Sequence, residues 1–199
     1  MLKILSIITE LDMRIITGKA RGIKLDTLDG LDTRPTSERT KEAVFSMLQF
    51  DIAGSEVLDL FAGSGQMGLE ALSRGAKRVH LIDRGKGAIE IIKRNIKKTR
   101  LEDGAIALCE DSISFLKKQR GDVVFDIVFI DPPYASTLID EALDLIFVNG
   151  LVHGDSYIVC ESDRFEILSE KNGKRYDTVK TMKHGVAHIS VLKIKTEEV

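Results

Sequence analysis

The sequence predicts an α/β fold in which a mostly parallel, seven-stranded sheet carries helices on both faces. Three observations support this prediction. From about residue 55, apolar runs typical of buried strands alternate with longer amphipathic segments. The first apolar run leads into a glycine-rich turn, "FAGSGQMG". The tail, "YDTVKTMKHGVAHISVLKI", predicts two strands around His184 and Gly185, so an antiparallel hairpin closes the sheet.

The size and composition are those of an ordinary soluble domain. The 199 residues suffice for one sizeable domain with a small appendage, and 43% are hydrophobic and 30% charged. The net charge of −2 gives no general attraction to nucleic acid, so a nucleic-acid site must depend on a local patch. The first residues contain neither a long apolar core nor a cleavage site, so we expect a cytoplasmic protein without a signal peptide or a membrane partner.

The front of the chain predicts an arm followed by a helix. "MRIITGKARGIKLDTL" has β-type residues on either side of two glycines, which indicates a small hairpin or an irregular β arm. "TSERTKEAVFSMLQF" predicts a helix that Thr36 or Ser37 caps. Its apolar positions are expected to share one face: Ala43, Val44, Met47 and Leu48. We therefore divide the chain into an N-terminal extension and arm, residues 1–35, and an α/β domain, residues 36–199.

Strands and helices alternate through the rest of the domain. The parallel strands are predicted at Val57–Phe61, Arg78–Ile82, Ala105–Cys109, Phe125–Ile130 and Tyr157–Glu161. The helices between them begin near Gly65, Lys86, Ser112 and Ser136. Cys109 and Cys160 lie in apolar runs, which predicts reduced core cysteines. No Cys or His residues stand at metal-ligand spacing, so no metal is expected.

The glycine-rich turn predicts a cofactor site. Gly63, Gly65 and Gly68 fit the G-x-G-x-x-G spacing after a strand and before a helix. Glycines there let the backbone approach a ligand, and the helix N-terminus offers free N–H groups. A dinucleotide and S-adenosyl-L-methionine both use such a turn. Asp59, four residues before Gly63, favours the second, because a carboxylate attracts a cationic amino-acid moiety and repels a pyrophosphate.

Two further acidic residues follow the next strands. Asp83 ends the second strand, where it can accept hydrogen bonds from ribose hydroxyls in either class of cofactor. Asp111 follows the third strand, where it can hold an adenine amino group. The same residue can cap the helix that begins at Ser112, and the two roles are compatible.

The segment Asp131-Pro132-Pro133-Tyr134 follows the fourth strand and predicts the reacting site. The prolines fix the backbone and remove two N–H donors, so a stiff loop presents a carbonyl beside the Asp131 carboxylate. Two acceptors can grip the hydrogens of an exocyclic amino group and orient its nitrogen toward a methyl sulfonium. Tyr134 can stack on the base. The alternative is a rigid strand-to-helix connector.

The two motifs together resemble a known class of enzymes. "LDLFAGSGQMG" with "DPPY" resembles class I S-adenosylmethionine (SAM)-dependent methyltransferases that act on an exocyclic amino group of a base. "MRIITGKARGIKL" and "TRPTSERTKEAVFSML" further resemble the RsmD-type family, the 16S rRNA guanine-N2 methyltransferases, from Met13 to about Lys195. The resemblance implies a Rossmann-like class I SAM-methyltransferase fold. It also implies a 16S rRNA substrate within an assembled or assembling 30S ribosomal subunit. We further expect a monomer that acts without metal.

The resemblance assigns site residues by position. The cofactor site would comprise Asp59, Phe61, Ala62, Gly63, Ser64, Gly65, Gly68, Asp83, Arg84, Asp111 and Ser112. The catalytic group would comprise Asp131, Pro132, Pro133 and Tyr134, with Arg34, Pro35 and Thr36 near the mouth of the site. Asp83 stands where the family often has Glu, and Gln66 stands where a small residue is common. The first twelve residues precede the family pattern, and we assign them no role.

RNA contacts are expected from the arm. Between Met13 and Lys24 the chain has basic residues and no acid, which suits phosphate contacts, although a solvated hairpin would look the same. The predicted RNA-binding residues are Arg14, Lys19, Arg21, Lys24, Arg34 and Thr36. The basic segment from Arg84 to Arg100 is interpreted as a solvated helix face.

The same motifs are compatible with other functions. The substrate could be an adenine or cytosine of DNA or of another RNA, because the DPPY motif does not name the base. A non-catalytic SAM-binding or RNA-binding assembly factor and a dinucleotide oxidoreductase are further alternatives. Intact Asp131 and Tyr134 argue against the first of these, and an oxidoreductase has no use for DPPY.

Overall fold

The computed structural model describes residues 13–27, 38–133 and 137–195. Several predictions therefore lie outside the described residues. They are the helix cap at Thr36 or Ser37, the roles of Arg34, Pro35 and Tyr134, and the helix start near Ser136.

The core of the fold is a seven-stranded sheet in the order β3-β2-β1-β4-β5-β7-β6. Its strands are β1 (Glu56–Asp59), β2 (Arg78–Asp83), β3 (Ala105–Cys109), β4 (Phe125–Ile130), β5 (Val152–Ser162), β6 (Tyr176–His184) and β7 (Ala187–Ile194). Strands β1 to β5 run parallel, whereas β7 is antiparallel to both β5 and β6. The predicted α/β class and the antiparallel C-terminal hairpin are confirmed.

The helices follow the strands as the glycine and capping signals indicate. They are α1 (Glu38–Met47), α2 (Gln66–Ser73), α3 (Lys86–Thr99), α4 (Ser112–Lys118), α5 (Leu138–Val148) and α6 (Glu170–Gly173). The predicted starts near Gly65, Lys86 and Ser112 are confirmed. Sequence patterns did not indicate α6, because a single turn with one buried residue, Asn172, leaves no apolar periodicity to detect.

Two hydrophobic cores lie on opposite faces of the sheet. Successive residues of one strand belong to different cores, as Val57 and Leu58 of β1 show. The first core also contains side chains of α1, α2, α3 and the arm, including Ile15 and Leu25. The second core contains side chains of α4 and α5, including Leu143. Helices therefore cover both faces of the sheet, and loops form the edge at the carboxyl ends of the parallel strands.

The arm, residues 13–27, is irregular. One antiparallel bridge joins Arg14 to Lys24. Gly18 has a positive φ of 89°, and a Cβ there would lie 1.8 Å from the Ser73 carbonyl oxygen. Only glycine allows this close approach of the arm to the end of α2.

Two predictions of burial are wrong. The buried face of α1 is formed by Lys41, Val44 and Phe45 and is continued by Leu48 just after the helix, whereas Ala43 is exposed. The spacing i, i+3, i+4, i+7 explains this, because residue 43 faces away from that stripe. Cys109 is exposed, since it ends a strand at the edge of the sheet. Cys160 is buried in the second core, and both thiols are free.

Among the helices that the structure describes, none has both the length and the apolar character needed to cross a bilayer.

Candidate active site

Most of the predicted site residues meet at one edge of the sheet. Because β1 to β5 are parallel, their carboxyl ends lie together, and ligands of doubly wound folds bind there. This edge brings together the glycine loop after β1, the acids that follow β2 and β3, and the Asp131-Pro132-Pro133 segment after β4. Residues that the sequence predicts for one site, from four separate loops, therefore lie close together in the structure.

The glycine loop has the geometry of a ligand cradle. Gly63 and Gly65 have positive φ angles of 55° and 80°, which side-chain-bearing residues rarely adopt. A Cβ at Gly63 would meet nothing within 4 Å, so open space lies over the loop. Gly68 has a different role, because a Cβ there would lie 2.5 Å from Leu81 and 2.7 Å from Val79. It lets α2 pack closely on the sheet.

Asp59 is a buried acid beneath this loop. Its Oδ2 accepts a hydrogen bond from the Gly68 backbone N–H at 3.0 Å, and its exposed fraction is 4%. Burial raises the pKa of Asp59 to about 7, while the Gly68 hydrogen bond lowers it and the charge of Asp83 raises it. A cationic group near this carboxyl would favour its ionised form.

Asp83 joins the glycine loop to the loop that follows β2. Its Oδ2 accepts from the Gly63 N–H at 2.9 Å, and its Oδ1 accepts from the Gly85 N–H at 2.7 Å. Each carboxylate oxygen keeps a further acceptor site, so the geometry leaves Asp83 able to accept from ribose hydroxyls. The short side chain is suited to this position because it reaches both amides at once.

Asp111 caps α4, as the sequence allowed. Its side chain accepts from the Ser114 N–H at 2.8 Å, and this bond lowers its pKa. The buried Ser112 hydroxyl donates to the Leu60 carbonyl at the end of β1. The loop after β3 is thereby fixed against the start of the glycine loop. The remaining predicted residues also lie here, with Ala62 buried, Phe61 and Ser64 half-buried and Arg84 exposed.

Asp131 follows β4 directly, where solvent still reaches the residue. Protein atoms nevertheless crowd its carboxyl group. This loss of hydration, followed by the charges of Glu161 and Asp59, raises the pKa of Asp131 well above its ordinary value. Pro132 is buried and Pro133 is exposed. Because Asp59 pairs with Phe129 in the β1–β4 register, Asp131 lies two residues beyond the level of Asp59, at the carboxyl edge of the sheet.

The basic residues of the arm lie on the surface. Arg14, Lys19, Arg21 and Lys24 are all exposed. Arg14 forms an ion pair with Glu38 at 2.9 Å, so its charge is partly neutralised. On α3, Arg94 and Lys98 pair with Asp26 of the arm and Lys93 pairs with Glu90. These pairs agree with the interpretation of α3 as a solvated face.

Sequence reasoning missed the residues that hold the arm in place. Glu70 of α2 accepts from the Ile16 and Thr17 N–H groups at 2.7 and 3.0 Å. Asn95 of α3 donates to the Ser64 carbonyl of the glycine loop at 2.9 Å and to the Asp26 carbonyl at 3.0 Å. A charged residue inside the apolar run "GLEAL" was the available signal for Glu70.

Comparison with known proteins identifies one family and two relatives that are both described as rRNA methyltransferases. The family model described as "Conserved hypothetical protein 95" matches residues 13–193. "Ribosomal RNA small subunit methyltransferase D" of Haemophilus influenzae is 37% identical over 154 residues, which are 77% of this chain and 80% of that protein. "Putative rRNA methyltransferase YlbH" of Bacillus subtilis is 36% identical and covers 91% of this chain and 98% of its own length.

A solved structure agrees with these relatives. It is described as "Putative methyltransferase yhhF from Escherichia coli", is 31% identical, and has a TM-score of 0.80 over 92% of this chain and 98% of its own. The family model spans almost all of the described residues, and both the glycine loop and the DPP segment lie inside the match. The chain therefore belongs to this family, the RsmD family of methyltransferases that its sequence motifs predict.

Proposed function

We propose that this protein transfers a methyl group from SAM to the exocyclic N2 amino group of a guanine in 16S rRNA, within the 30S ribosomal subunit. The observation that carries the proposal is the position of Asp131-Pro132-Pro133. This segment lies at the carboxyl end of β4, next to the strand that leads into the glycine loop. The names of the relatives, which describe rRNA small-subunit methyltransferases, support the class of substrate.

The residues at the sheet edge fit SAM as the methyl donor. The open space over Gly63 gives room for the cofactor backbone, and the buried Asp59 offers a carboxylate to its cationic amino-acid moiety. Asp83 can accept from the ribose hydroxyls, while Asp111 and Ser112 border the place of the adenine. When bound, SAM supplies a methyl group on a positively charged sulfur.

Asp131 and the proline-flanked backbone would orient the target nitrogen. An acceptor pair can bind the two hydrogens of the amino group and turn its lone pair toward the methyl group. Transfer then forms the N–C bond as the C–S bond breaks, and the nitrogen loses one proton. The raised pKa of Asp131 suits a carboxylate that accepts this proton. Tyr134 would stack on the base, and the transfer would be direct, without a covalent enzyme intermediate.

The arm is proposed as the RNA-contacting part of the molecule, as the division at residue 35 predicts. Lys19, Arg21 and Lys24 present exposed charges suited to phosphates, with Arg14 contributing beside Glu38. Arg34 and Thr36 complete the proposed set, and the active form is proposed to be a monomer.

Methyl transfer to defined substrates tests the function. Labelled SAM is incubated with 30S subunits from a strain that lacks the enzyme, and in parallel with free 16S rRNA and with DNA. We expect label in N2-methylguanosine with the 30S subunits. Label in methyladenosine or methylcytidine, or in DNA alone, would show that the base or the substrate class is wrong.

Asp131→Ala tests the mechanism. Removing the acceptor should lower kcat at least 100-fold, since about 10²–10³ is typical when one preorganised hydrogen-bonding group is lost. SAM affinity should stay within about threefold of wild type, because Asp131 is assigned to the target base rather than to the cofactor. Wild-type activity in this variant would contradict the mechanism.

A further inference from the structure

A second carboxylate lies beside Asp131, outside every motif that the sequence singles out. Ile130, the last residue of β4, pairs with Cys160 of the parallel strand β5. The residues that follow them, Asp131 and Glu161, are therefore neighbours at the carboxyl edge of the sheet. Glu161 is half-buried within β5, so the sheet fixes its backbone.

The two carboxylates lie on the same face of the sheet as Asp59. Phe129 and Val159 belong to the first core, whereas Ile130 and Cys160 belong to the second. Because side chains alternate along a strand, the positions after Ile130 and Cys160 return to the face of the first core, which is also the face of Asp59. The charges of Glu161 and Asp59 both act on Asp131, which agrees with this placement.

We propose that Glu161 selects guanine, by accepting a hydrogen bond from the guanine N1–H while Asp131 accepts from the neighbouring N2 amino group. This inference rests on the proposed function and adds the residue that distinguishes the base. It gives β5 a role in substrate recognition, whereas the motif after β4 holds only the reacting nitrogen.

The chemistry of the bases explains the choice. Along its pairing edge, guanine presents two adjacent donors, N1–H and the N2 amino group. Adenine presents its amino group beside a bare N1, and cytosine presents its amino group beside a bare N3. An ionised carboxylate accepts but cannot donate, so it binds guanine and meets a lone pair in the other two bases. A site built to bond a substrate N–H can reject the analogue lacking it by about 10⁴-fold.

The closeness of the two acids also favours guanine over the other bases. Two adjacent carboxylates repel each other, and guanine offers donors to both at once. Guanine therefore offers a donor to each acid, whereas adenine and cytosine each place a lone pair against one of them. The DPP segment alone can bind the amino group of any of these bases. The second acid therefore supplies the discrimination between bases that the motif lacks.

The test measures base selectivity in the full-length protein. The methylated nucleotide is first mapped with wild-type enzyme, and 30S subunits are then reconstituted with 16S rRNA carrying guanine or adenine at that position. Wild type should favour guanine at least about 100-fold in kcat/KM. Glu161→Gln supplies an amide that can donate to adenine N1 as well as accept. The guanine-to-adenine ratio should therefore fall at least tenfold, with SAM affinity within twofold of wild type.

Two controls accompany this variant. Glu166→Gln neutralises an exposed acid on the loop that follows β5 and should leave the ratio unchanged. Glu161→Ala removes the acceptor without adding a donor, so the guanine-to-adenine ratio should fall through loss of guanine transfer alone. The same variant replaces Glu161→Gln if the Gln variant does not bind SAM.

The inference is overturned if Glu161→Gln and Glu161→Ala keep the wild-type ratio, or if they lower transfer to both bases equally. Failure of the proposed function is recognised earlier and separately. In that case wild type itself yields no N2-methylguanosine, and the role of Glu161 in guanine selection falls with it.

Discussion

Asp59 shows how a single buried acid can be prepared for a charged ligand. The side chain is almost fully buried under the glycine loop and accepts one backbone hydrogen bond. Burial disfavours its negative charge, so its pKa is about 7. A cation bound over the loop would restore the charge. Cofactor binding and ionisation of Asp59 are therefore expected to be linked.

This linkage predicts a pH dependence of SAM binding. Under the proposed function the cationic cofactor binds the ionised form of Asp59, so its affinity should rise as pH increases toward and above 7. From pH 8 to pH 6, the dissociation constant should increase about tenfold, and calorimetry can measure it. The same pKa shift affects folding in the opposite direction: its contribution to stability is fully present below the ordinary Asp pKa of 3.8 and is lost as pH rises through about 7.

Asp59→Asn is the control for this prediction. It keeps the shape and removes the titrating group, so only the cofactor's own ionisation should remain. An equally steep pH dependence in wild type and in this variant would contradict the link to Asp59.

At the scale of elements, buried polar side chains of α1 and α2 hold the arm in place. Glu70 is fully buried and bonds two arm amides, while its charge is balanced by Lys41 at 3.6 Å and Arg74 at 2.8 Å. The Lys41 ammonium in turn donates to the Arg14 carbonyl at 2.6 Å. This buried cluster joins the arm, α1 and α2 into one unit.

Glu70→Gln should destabilise the protein by about 3 kcal/mol, because breaking a buried ion pair leaves the partner charge uncompensated. Burial lowers the pKa of Lys41, and loss of its proton would reduce this cost. Urea unfolding measures the free energy of unfolding. Glu38→Gln breaks the exposed pair with Arg14 and should change it by no more than about 0.5 kcal/mol. Equal effects of the two variants would refute the role assigned to the buried cluster.

The elements also show which information the sequence carries. The glycine loop, the α4 cap at Asp111 and the DPP segment depend on neighbours within a few residues, and all were placed correctly. Glu70, Asn95 and Glu161 depend on partners in other elements, so local spacing does not reveal those partners, although the charge of Glu70 inside an apolar run marks that residue as unusual. The face of α1 was misjudged for a related reason. Phe45 and Lys41 are buried by contacts with α2 and the arm, whereas Ala43, which is apolar in isolation, faces solvent.

For the whole molecule, affinity for RNA is expected to come from a local patch, since the net charge is −2. Replacing both Lys19 and Arg21 by Ala should weaken binding to 30S subunits. It should also reduce the slope of log K against log salt by about 0.7 to 0.9 for each phosphate that the variant no longer neutralises. Lys93→Ala, on α3 beside Glu90, is the matched control and should leave the slope unchanged. Filter binding at several salt concentrations measures both. An unaltered slope in the double variant would exclude the arm from phosphate binding.

The long reach of the arm's hydrogen bonds has a consequence for synthesis on the ribosome. Ala20 and Asp26 bond to Ser73 and Asn95, which lie 53 and 69 residues later in the chain. At roughly 5 to 20 residues per second, translation leaves about 3 to 10 s between Ala20 and Ser73. The arm, although made first, must wait for α2 and α3 before it can dock. A nascent chain stalled before residue 73 should therefore carry the arm undocked and open to protease.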